Sequence, residues 1–376
     1  MIHKLAKEFL YKGCALTATM LGIASTGYAI TKAVRVPRIF ADSSKASKAL
    51  VKSSSESQAR SGMYPPPDLT YNVSTLPPFT QSSALQGVVD EVIETIKNEN
   101  LPSQSLSVSL INLKGKKCCE YAAYSDRTPR FPASVSKLFW LVVLQAQIEK
   151  GVIPKDIISS QELYKMIQKS DNEPTSRVVD QITMTESGQS LNSEFIGIWE
   201  AKRKWINHFF EAANYHNLNL SQKNFPVPFL HLKEPEGRDL QIRGEQAKPI
   251  RNSLTTYDTA RLIYEINAEQ SVSQESSRKI KALLRRDLRP KAWKSEEYNS
   301  IEGFLGESLP VETYFASKVG WTSGSRQEVA LVRSADGRAE YILVVFGDDR
   351  AYADNWEIFP KISRLVYNRI LNGVVN

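Results

Sequence analysis

Apolar and polar residues follow regular patterns from about residue 84 to the end of the chain. Between Leu85 and Ile96 the apolar residues recur every three or four positions, which predicts an amphipathic helix. Ser105–Leu113 alternates between the two residue classes and Cys118–Tyr124 continues after a turn, which predicts a β-hairpin. Ser134–Lys150 is apolar on nearly every side of its first turns, so we expect a helix buried at the protein centre.

The remaining patterns predict a helical middle and a strand-rich end. They are, in order, helices at Glu162–Lys169, Lys204–Ala213 and Tyr257–Asn267, strands at Glu328–Arg333 and Glu340–Phe346, and a closing helix at Asn355–Leu371. This order predicts an α+β fold of three layers, α/β/α, in which an antiparallel sheet is flanked by helices. An all-helical lobe is inserted in the middle of the chain.

The first 83 residues differ in composition from the rest. Three lysines precede the apolar run Cys14–Ile30, which predicts a signal peptide or membrane anchor in residues 1–40. Basic residues also follow this run, and a buried N-terminal helix is the alternative. Serine and proline dominate residues 41–83 without an apolar period, so we interpret them as a flexible linker to a folded domain at 84–376. We therefore expect an exported protein, either periplasmic or membrane-anchored on the extracytoplasmic side.

Charge and cysteine content narrow the possible classes of function. The net charge of +7 is concentrated partly near the N-terminus, and no basic helix is interleaved with aromatics, so we expect no nucleic-acid partner. Cys118 and Cys119 are neighbours in a predicted strand, where adjacent side chains point to opposite faces. We therefore expect buried small side chains there rather than a disulfide. The four histidines lack zinc-ligand spacing, and we predict neither a metal nor another cofactor.

Ser134-Val135-Ser136-Lys137 opens the predicted central helix. Residues three apart on a helix share a face, so Ser134 and Lys137 can meet. A serine hydroxyl needs a base to become a nucleophile, and a lysine can serve if apolar burial lowers its pKa. Backbone N–H groups at the helix N-terminus would also favour a developing oxyanion. Taken alone, however, a helix-capping serine is the simpler interpretation of Ser134.

Two further short motifs follow in the chain. Ser170-Asp171-Asn172 comes after a helical stretch and could relay a proton and hold a substrate amide, or could simply cap a helix. Lys318-Val319-Gly320 combines a positive charge with a glycine that lets a strand approach a substrate closely. In isolation, an ordinary strand lysine explains this triplet equally well.

In the order Ser-x-x-Lys, Ser-Asp-Asn, Lys-x-Gly, the three motifs resemble those of class A β-lactamases and penicillin-binding serine hydrolases. The resemblance extends to the surrounding segments FPASVSKL, MIQKSDNEPTS, NSLTTYDTARLIYEI and KVGWTSGSRQEVALV, and covers roughly residue 84 to the C-terminus. It implies a β-lactamase/transpeptidase-like fold and an acyl-enzyme mechanism on a β-lactam or related amide.

The resemblance also implies a role for each matching residue. The catalytic set would be the nucleophile Ser134, the base Lys137, the proton shuttle Ser170, and Lys318, which supports a substrate carboxylate. The oxyanion hole would be the backbone N–H groups of Ser134 and Trp321. Substrate-binding residues would be Asn172, Gly320, Thr322 and Arg326, the last two as partners of a carboxylate.

Two departures from the family pattern limit what the resemblance implies. Val319 stands where threonine or serine is usual, and a valine cannot donate a hydrogen bond to a carboxylate. The deacylating glutamate of a Glu-x-x-Leu-Asn motif is missing between Asn217 and Asn252, where Glu234, Glu236 and Glu245 lack the pattern and are interpreted as surface carboxylates. A β-lactam would then acylate Ser134 and leave slowly.

Several functions therefore stay open. Within the hydrolase class they are a true β-lactamase, a D-Ala-D-Ala-type peptidase that binds peptidoglycan-like peptides, and an esterase. The alternative class is a cell-envelope binding protein that has lost turnover. Val319 and the missing glutamate favour this alternative. Retention of both Ser134 and Lys137 speaks against it, since binding alone requires neither residue. A Ser-His-Asp hydrolase is excluded because no Gly-x-Ser-x-Gly segment occurs.

Overall fold

A computed structural model describes residues 66, 68–114, 118–296 and 299–373 of the 376-residue chain. The segment predicted as a signal peptide or anchor, and most of the predicted linker, lie outside these residues. No helix within the described ranges is both long and apolar enough to cross a membrane.

The strands form one sheet of order β1-β3-β2-β6-β5-β4. All neighbouring strands run antiparallel except β1, which pairs parallel with β3. The strands are β1 Thr80–Gln81, β2 Leu106–Asn112, β3 Glu120–Tyr124, β4 Tyr314–Thr322, β5 Ser325–Arg333 and β6 Glu340–Gly347. The predicted hairpin is confirmed, since Val108 of β2 lies opposite Tyr124 of β3.

The helices agree closely with the predicted ones and add several short elements. Those described are α1 Ser83–Asn98, α2 Ser136–Glu149, α3 Ser160–Gln168, α4 Asn172–Thr183, α5 Ser193–Glu211, α6 Gly237–Arg243, α7 Thr256–Asn267, α8 Gln274–Leu284, α9 Pro290–Trp293, α10 Arg350–Asp354 and α11 Ile358–Leu371. Side-chain caps explain many of the starts. Ser82, for example, accepts a hydrogen bond from Leu85 N at the start of α1.

Two hydrophobic clusters lie on opposite faces of the sheet. In β6, Ile342 and Val344 pack into the cluster shared with the helical lobe, whereas Leu343 and Val345 pack against α1 and α11. Because successive strand residues point to opposite faces, one strand serves both clusters. The predicted α+β fold with three α/β/α layers is confirmed, including the helical lobe between β3 and β4.

Helix α2 lies at the centre of the larger cluster. Its residues from Ser136 to Gln147 are all buried, polar ones included. A helix that is apolar on nearly every side is stable only if all its sides are shielded from water, and the sequence predicts this burial. The residues that begin this helix are therefore held rigidly, which matters for the site described below.

The predicted linker is wrong for its last part. Leu69 and Tyr71 are buried in the main cluster, and Tyr71 N donates to Phe209 O over 2.9 Å. The Tyr71 hydroxyl also donates to Glu265 Oε2 over 2.8 Å. The composition indicated disorder because apolar residues are sparse here. A few well-placed aromatic contacts are nevertheless enough to order the segment against an existing core.

The expectation for the two adjacent cysteines is also wrong. Cys118 and Cys119 form a disulfide, with Cα atoms 3.0 Å apart. Both precede β3, which begins at Glu120, so the alternation of side chains along a strand does not apply to them. Only Cys119 is buried, and Cys118 is exposed.

Candidate active site

Ser134 lies in a short 3-10 turn, Ala133–Val135, that leads directly into α2. Ala133 has a φ of +45°, and its carbonyl accepts a hydrogen bond from Ser136 Oγ over 2.8 Å. Ser134 is partly exposed, whereas the residues on either side of it are buried. The turn therefore presents the serine to solvent at the head of a rigid helix.

Lys137 is buried one turn further along. Its Nζ donates to Asn172 Oδ1 over 2.7 Å and to the backbone carbonyl of Ser170. Burial lowers the pKa of Lys137 to about 7, against the opposing influence of Asp171. A lysine with such a pKa is neutral in a large fraction of molecules at neutral pH and can accept a proton.

Ser170 lies between two lysines. Lys318 Nζ donates to its hydroxyl oxygen over 2.9 Å, and Lys137 Nζ is 3.5 Å from the same atom. The loop that presents Ser170 joins α3 to α4, with a φ of +56° at the serine. Asp171 caps α4 by accepting from Glu173 N over 2.9 Å, so the helix cap that was the alternative interpretation of this motif exists beside the site geometry.

Lys318 is fully buried on the edge strand β4. Besides Ser170, its Nζ contacts the carbonyl oxygen of Val319 over 2.8 Å. Burial lowers the pKa of Lys318 well below its ordinary value, and the neighbouring Lys137 lowers it further. The two amino groups therefore compete for charge, and Ser170 is positioned to pass a proton between them.

Gly320 packs directly against the turn that carries Ser134. A Cβ at this position would lie 2.5 Å from Pro132 O and 2.9 Å from Ser134 N. Only a glycine therefore lets β4 approach the serine so closely. Trp321 follows on the same strand. The oxyanion-hole role of its N–H stays a prediction.

The flanking side chains of β4 are engaged within the protein. Trp321 Nε1 donates to Ala353 O over 3.2 Å. Thr322 is partly exposed, and its hydroxyl oxygen lies 3.0 Å from Ser325 Oγ. Thr322 therefore lies at the rim of the site, where its predicted role in substrate binding is sterically open.

A segment that no motif indicated forms a wall of the site. Asn172 Nδ2 donates to Pro226 O over 3.0 Å, and Asn224 Nδ2 donates to Ser136 Oγ over 3.3 Å. Backbone carbonyls and an isolated asparagine have no sequence signature, so only the fold brings them to light. Glu234, Glu236 and Glu245 are all exposed, in agreement with their interpretation as surface carboxylates.

The expected substrate contact of Arg326 requires correction. Its side chain is fully buried, and its three guanidinium nitrogens donate to the carbonyls of Tyr352, Gly303 and Ala353 over 2.8–3.0 Å. The guanidinium also stacks over the Trp356 ring at 4.4 Å. Sequence spacing placed Arg326 near the third motif, but on β5 it points away from the site and connects helix α10 to the segment at Gly303.

A buried charged group behind β4 was also missed from sequence. Glu328 of β5 lies opposite Val319 of β4, and its Oε2 accepts from Leu305 N over 2.7 Å. Burial raises the pKa of Glu328 to about 7. Arg286, likewise buried, donates to Ser317 O over 3.2 Å. Across the described ranges, no group of three or more His, Cys, Asp or Glu side chains is arranged to hold a metal ion.

Residues 89–370 match the model of the β-lactamase enzyme family. This match spans well over half of the chain. The protein belongs to the β-lactamase enzyme family. No curated protein matches it in sequence.

Solved structures agree with this assignment at the level of the fold. A class A β-lactamase from Bacteroides cellulosilyticus superposes with a TM-score of 0.52 at 14% identity, covering 77% of this chain and 99% of that one. A β-lactamase from Chitinophaga pinensis gives 0.53 at 14%, with 75% and 98% covered. The protein PBP-A gives 0.51 at 17%, with 78% and 98% covered. This family member therefore shares their fold at low sequence identity.

Proposed function

We propose that this family member is a serine hydrolase that forms an acyl-enzyme at Ser134 with a β-lactam or a related amide. The observation that carries the proposal is the convergence of Lys137, Ser170, Asn172 and Lys318 at the start of α2, next to the turn that carries Ser134. Four polar groups from three separate segments of the chain are linked there by hydrogen bonds of 2.7–3.5 Å. Buried polar networks of this kind carry a cost in stability, and they are common at functional sites.

In this mechanism neutral Lys137 accepts the Ser134 proton as Ser134 Oγ attacks the carbonyl carbon. The carbonyl oxygen becomes an oxyanion, which the N–H groups of Ser134 and Trp321 would stabilise. The bond to the leaving nitrogen then breaks as a proton reaches that nitrogen through Ser170. Asn172 would hold the amide side chain of the substrate.

We further propose that the acyl-enzyme is long-lived. The wall segment contributes the carbonyl of Pro226 to Asn172, and the three candidate glutamates between Asn217 and Asn252 are exposed. A variant of PBP-A has been solved as an acyl-enzyme complex with penicillin G, so a neighbour in fold can hold such an adduct. A persistent adduct would make the protein a penicillin-binding enzyme or peptidase rather than a β-lactamase.

Intact-mass spectrometry of the full-length protein tests the proposal. The wild type and Ser134→Ala are each incubated with a fluorescent penicillin and, separately, with a fluorophosphonate that labels activated serines. We expect both adducts on the wild type, neither on the variant, and a penicillin adduct that persists for hours. Rapid loss of the adduct with hydrolysed product would instead indicate a β-lactamase with another deacylating group.

Failure to label Ser134 with either reagent would overturn the proposal. A binding protein without turnover would then be the preferred function, and Val319 and the missing glutamate favour it. Labelling by the fluorophosphonate alone would keep the activated serine and remove β-lactams as substrates, leaving an esterase or a peptidase.

We also propose that the protein acts outside the cytoplasm. The basic residues before the apolar run Cys14–Ile30 support export. Fractionation of cells that produce the full-length protein, with and without residues 1–40, tests this. Retention of the full-length protein in the cytoplasm would contradict it.

A further inference from the structure

The four groups that the sequence predicts around a substrate carboxylate can each be examined in the structure. In a site built for an anion, several charged or hydroxyl donors point at one empty position. The four groups are Lys318, Thr322, Arg326 and Val319, the last of which occupies the position where the family has a hydroxyl. Their actual contacts decide whether such a position exists.

Two of the four are withdrawn from the site altogether. Val319 is 6% exposed and packs into the hydrophobic cluster shared with α1 and α11, so it offers neither a hydroxyl nor an accessible surface. Arg326 is committed to three backbone carbonyls on the same side of the sheet. Releasing its guanidinium would leave the buried carbonyls of Tyr352 and Gly303 without this donor, which disfavours any movement of Arg326 toward a substrate.

The other two are already engaged. Lys318 is fully buried, and its Nζ donates hydrogen bonds to Ser170 Oγ over 2.9 Å and to Val319 O over 2.8 Å. Thr322 carries no charge, and its hydroxyl oxygen is 3.0 Å from Ser325 Oγ. One neutral hydroxyl at the rim is a weak partner for a carboxylate compared with a guanidinium or an ammonium group.

We propose that the site takes acyl donors whose leaving group is neutral, and that it gives no advantage to a terminal carboxylate. This inference rests on the proposed acyl-enzyme at Ser134 and narrows its substrate class to uncharged amides, esters or lactams. A β-lactam could still acylate Ser134, but its carboxylate would contribute little to the rate. In the reaction Ser134 Oγ forms the new bond to the carbonyl carbon, the bond to the leaving group breaks, and the serine proton ends on the leaving atom.

The test uses two N-acyl-D-alanyl esters that differ only at the far end of the leaving group. One carries glycolate and the other glycolamide, so a carboxylate is exchanged for a carboxamide of nearly the same shape. For the full-length wild type we measure kcat/KM for each ester, and how strongly each slows the labelling of Ser134 by the fluorophosphonate. The second measurement ranks the two ligands even if turnover is slow.

We expect the carboxamide to match the carboxylate within about threefold or to exceed it. A site with a charged partner would favour the carboxylate by roughly 10- to 100-fold, the ratio that corresponds to a charged hydrogen bond. A carboxylate preference of tenfold or more would overturn the inference, and so would a lack of protection by both esters. Failure of the fluorophosphonate to label Ser134 would instead overturn the proposed function itself.

Discussion

Ser170 shows what the residue scale contributes to this protein. By composition it is an ordinary polar residue beside a helix cap, and the capping bond from Glu173 N to Asp171 is present. What distinguishes Ser170 is its two lysine neighbours, which lie 33 and 148 residues away along the chain. A hydroxyl between two buried amines, both with lowered pKa values, has the arrangement that the proposed proton relay requires.

The protonation of Lys137 should govern the rate of acylation. Burial lowers its pKa to about 7, and only the neutral amine can accept the Ser134 proton. We expect fluorophosphonate labelling to rise about tenfold per pH unit up to about pH 7 and to level off above it. Labelling rates measured from pH 5.5 to 9 check this. Because the pKa of Glu328 is also about 7, the Glu328→Gln variant is measured as a control that lacks this second titration. A flat profile, or a rise that disappears in the control, would contradict the assignment.

Close approach at Gly320 should be essential to acylation. In Gly320→Ala the added Cβ meets Pro132 O and Ser134 N, so the nucleophile must shift. We expect Ser134 labelling to slow about 100-fold, since a displacement of about 1 Å at a reacting group has that effect. Gly324→Ala is the matched control, because a Cβ there has no neighbour within 4 Å. An unchanged labelling rate in Gly320→Ala would show that the contact is not needed.

At the scale of elements, the site depends on where α2 begins and what holds it. Burial on all sides fixes this helix, and the 3-10 turn at its head presents Ser134. The segment before α1 contributes to the same core, because Tyr71 reaches Glu265, which also accepts from Tyr215 and Arg261. A stretch that composition assigns to a linker is thus part of the folded domain.

Truncating Tyr71 should therefore destabilise the domain. Tyr71→Ala leaves a cavity between Phe209 and Tyr215 and removes a hydrogen bond to a buried carboxylate. We expect a loss of about 3–5 kcal/mol in the free energy of unfolding, measured with urea on the full-length chain. Leu76→Ala, which alters a 56% exposed side chain in the same segment, should cost less than about 0.5 kcal/mol. Equal, small effects of both changes would restore the linker interpretation.

At the scale of the whole molecule, one sheet separates two hydrophobic clusters, and some of its buried side chains are charged. Glu328 and Arg326 of β5 are buried beneath the edge strand that lines the site. Such groups make stability depend on pH. Burial raises the pKa of Glu328 to about 7, so its neutral form is the one the fold favours.

Replacing Glu328 with glutamine should remove this pH dependence. The stability that the protonated carboxyl contributes is present below the unfolded-state pKa, 4.5, and is lost as pH rises through about 7. Glu328→Gln should therefore be similar to the wild type near pH 5 and more stable by on the order of 3 kcal/mol at pH 8. Urea unfolding at the two pH values measures the difference. The same difference at both would mean that Glu328 does not titrate in this range.

Local patterns were sufficient to predict most elements. Helical spacing in Leu85–Ile96 and strand alternation in Ser105–Leu113 depend only on neighbours in the chain, because each element must bury its own apolar face. The same holds for the three motifs, whose order and spacing indicated the family before the fold was known. The spacing of Ser134 and Lys137 likewise placed both residues at the start of the central helix, where the structure has the turn that carries Ser134 and the first turn of α2.

What only the tertiary structure decided is how distant residues meet. The pairing of β4 with β5 puts Glu328 across from Val319 and turns Arg326 toward Tyr352 in helix α10, outcomes that depend on strand register and sheet face. Likewise, Pro226 and Tyr71 acquire their roles through contacts with elements far along the chain. Sequence by itself therefore determined the family, the elements and the candidate nucleophile, since these rest on short-range spacing. Which charges face the substrate was set by long-range packing, which no local pattern encodes.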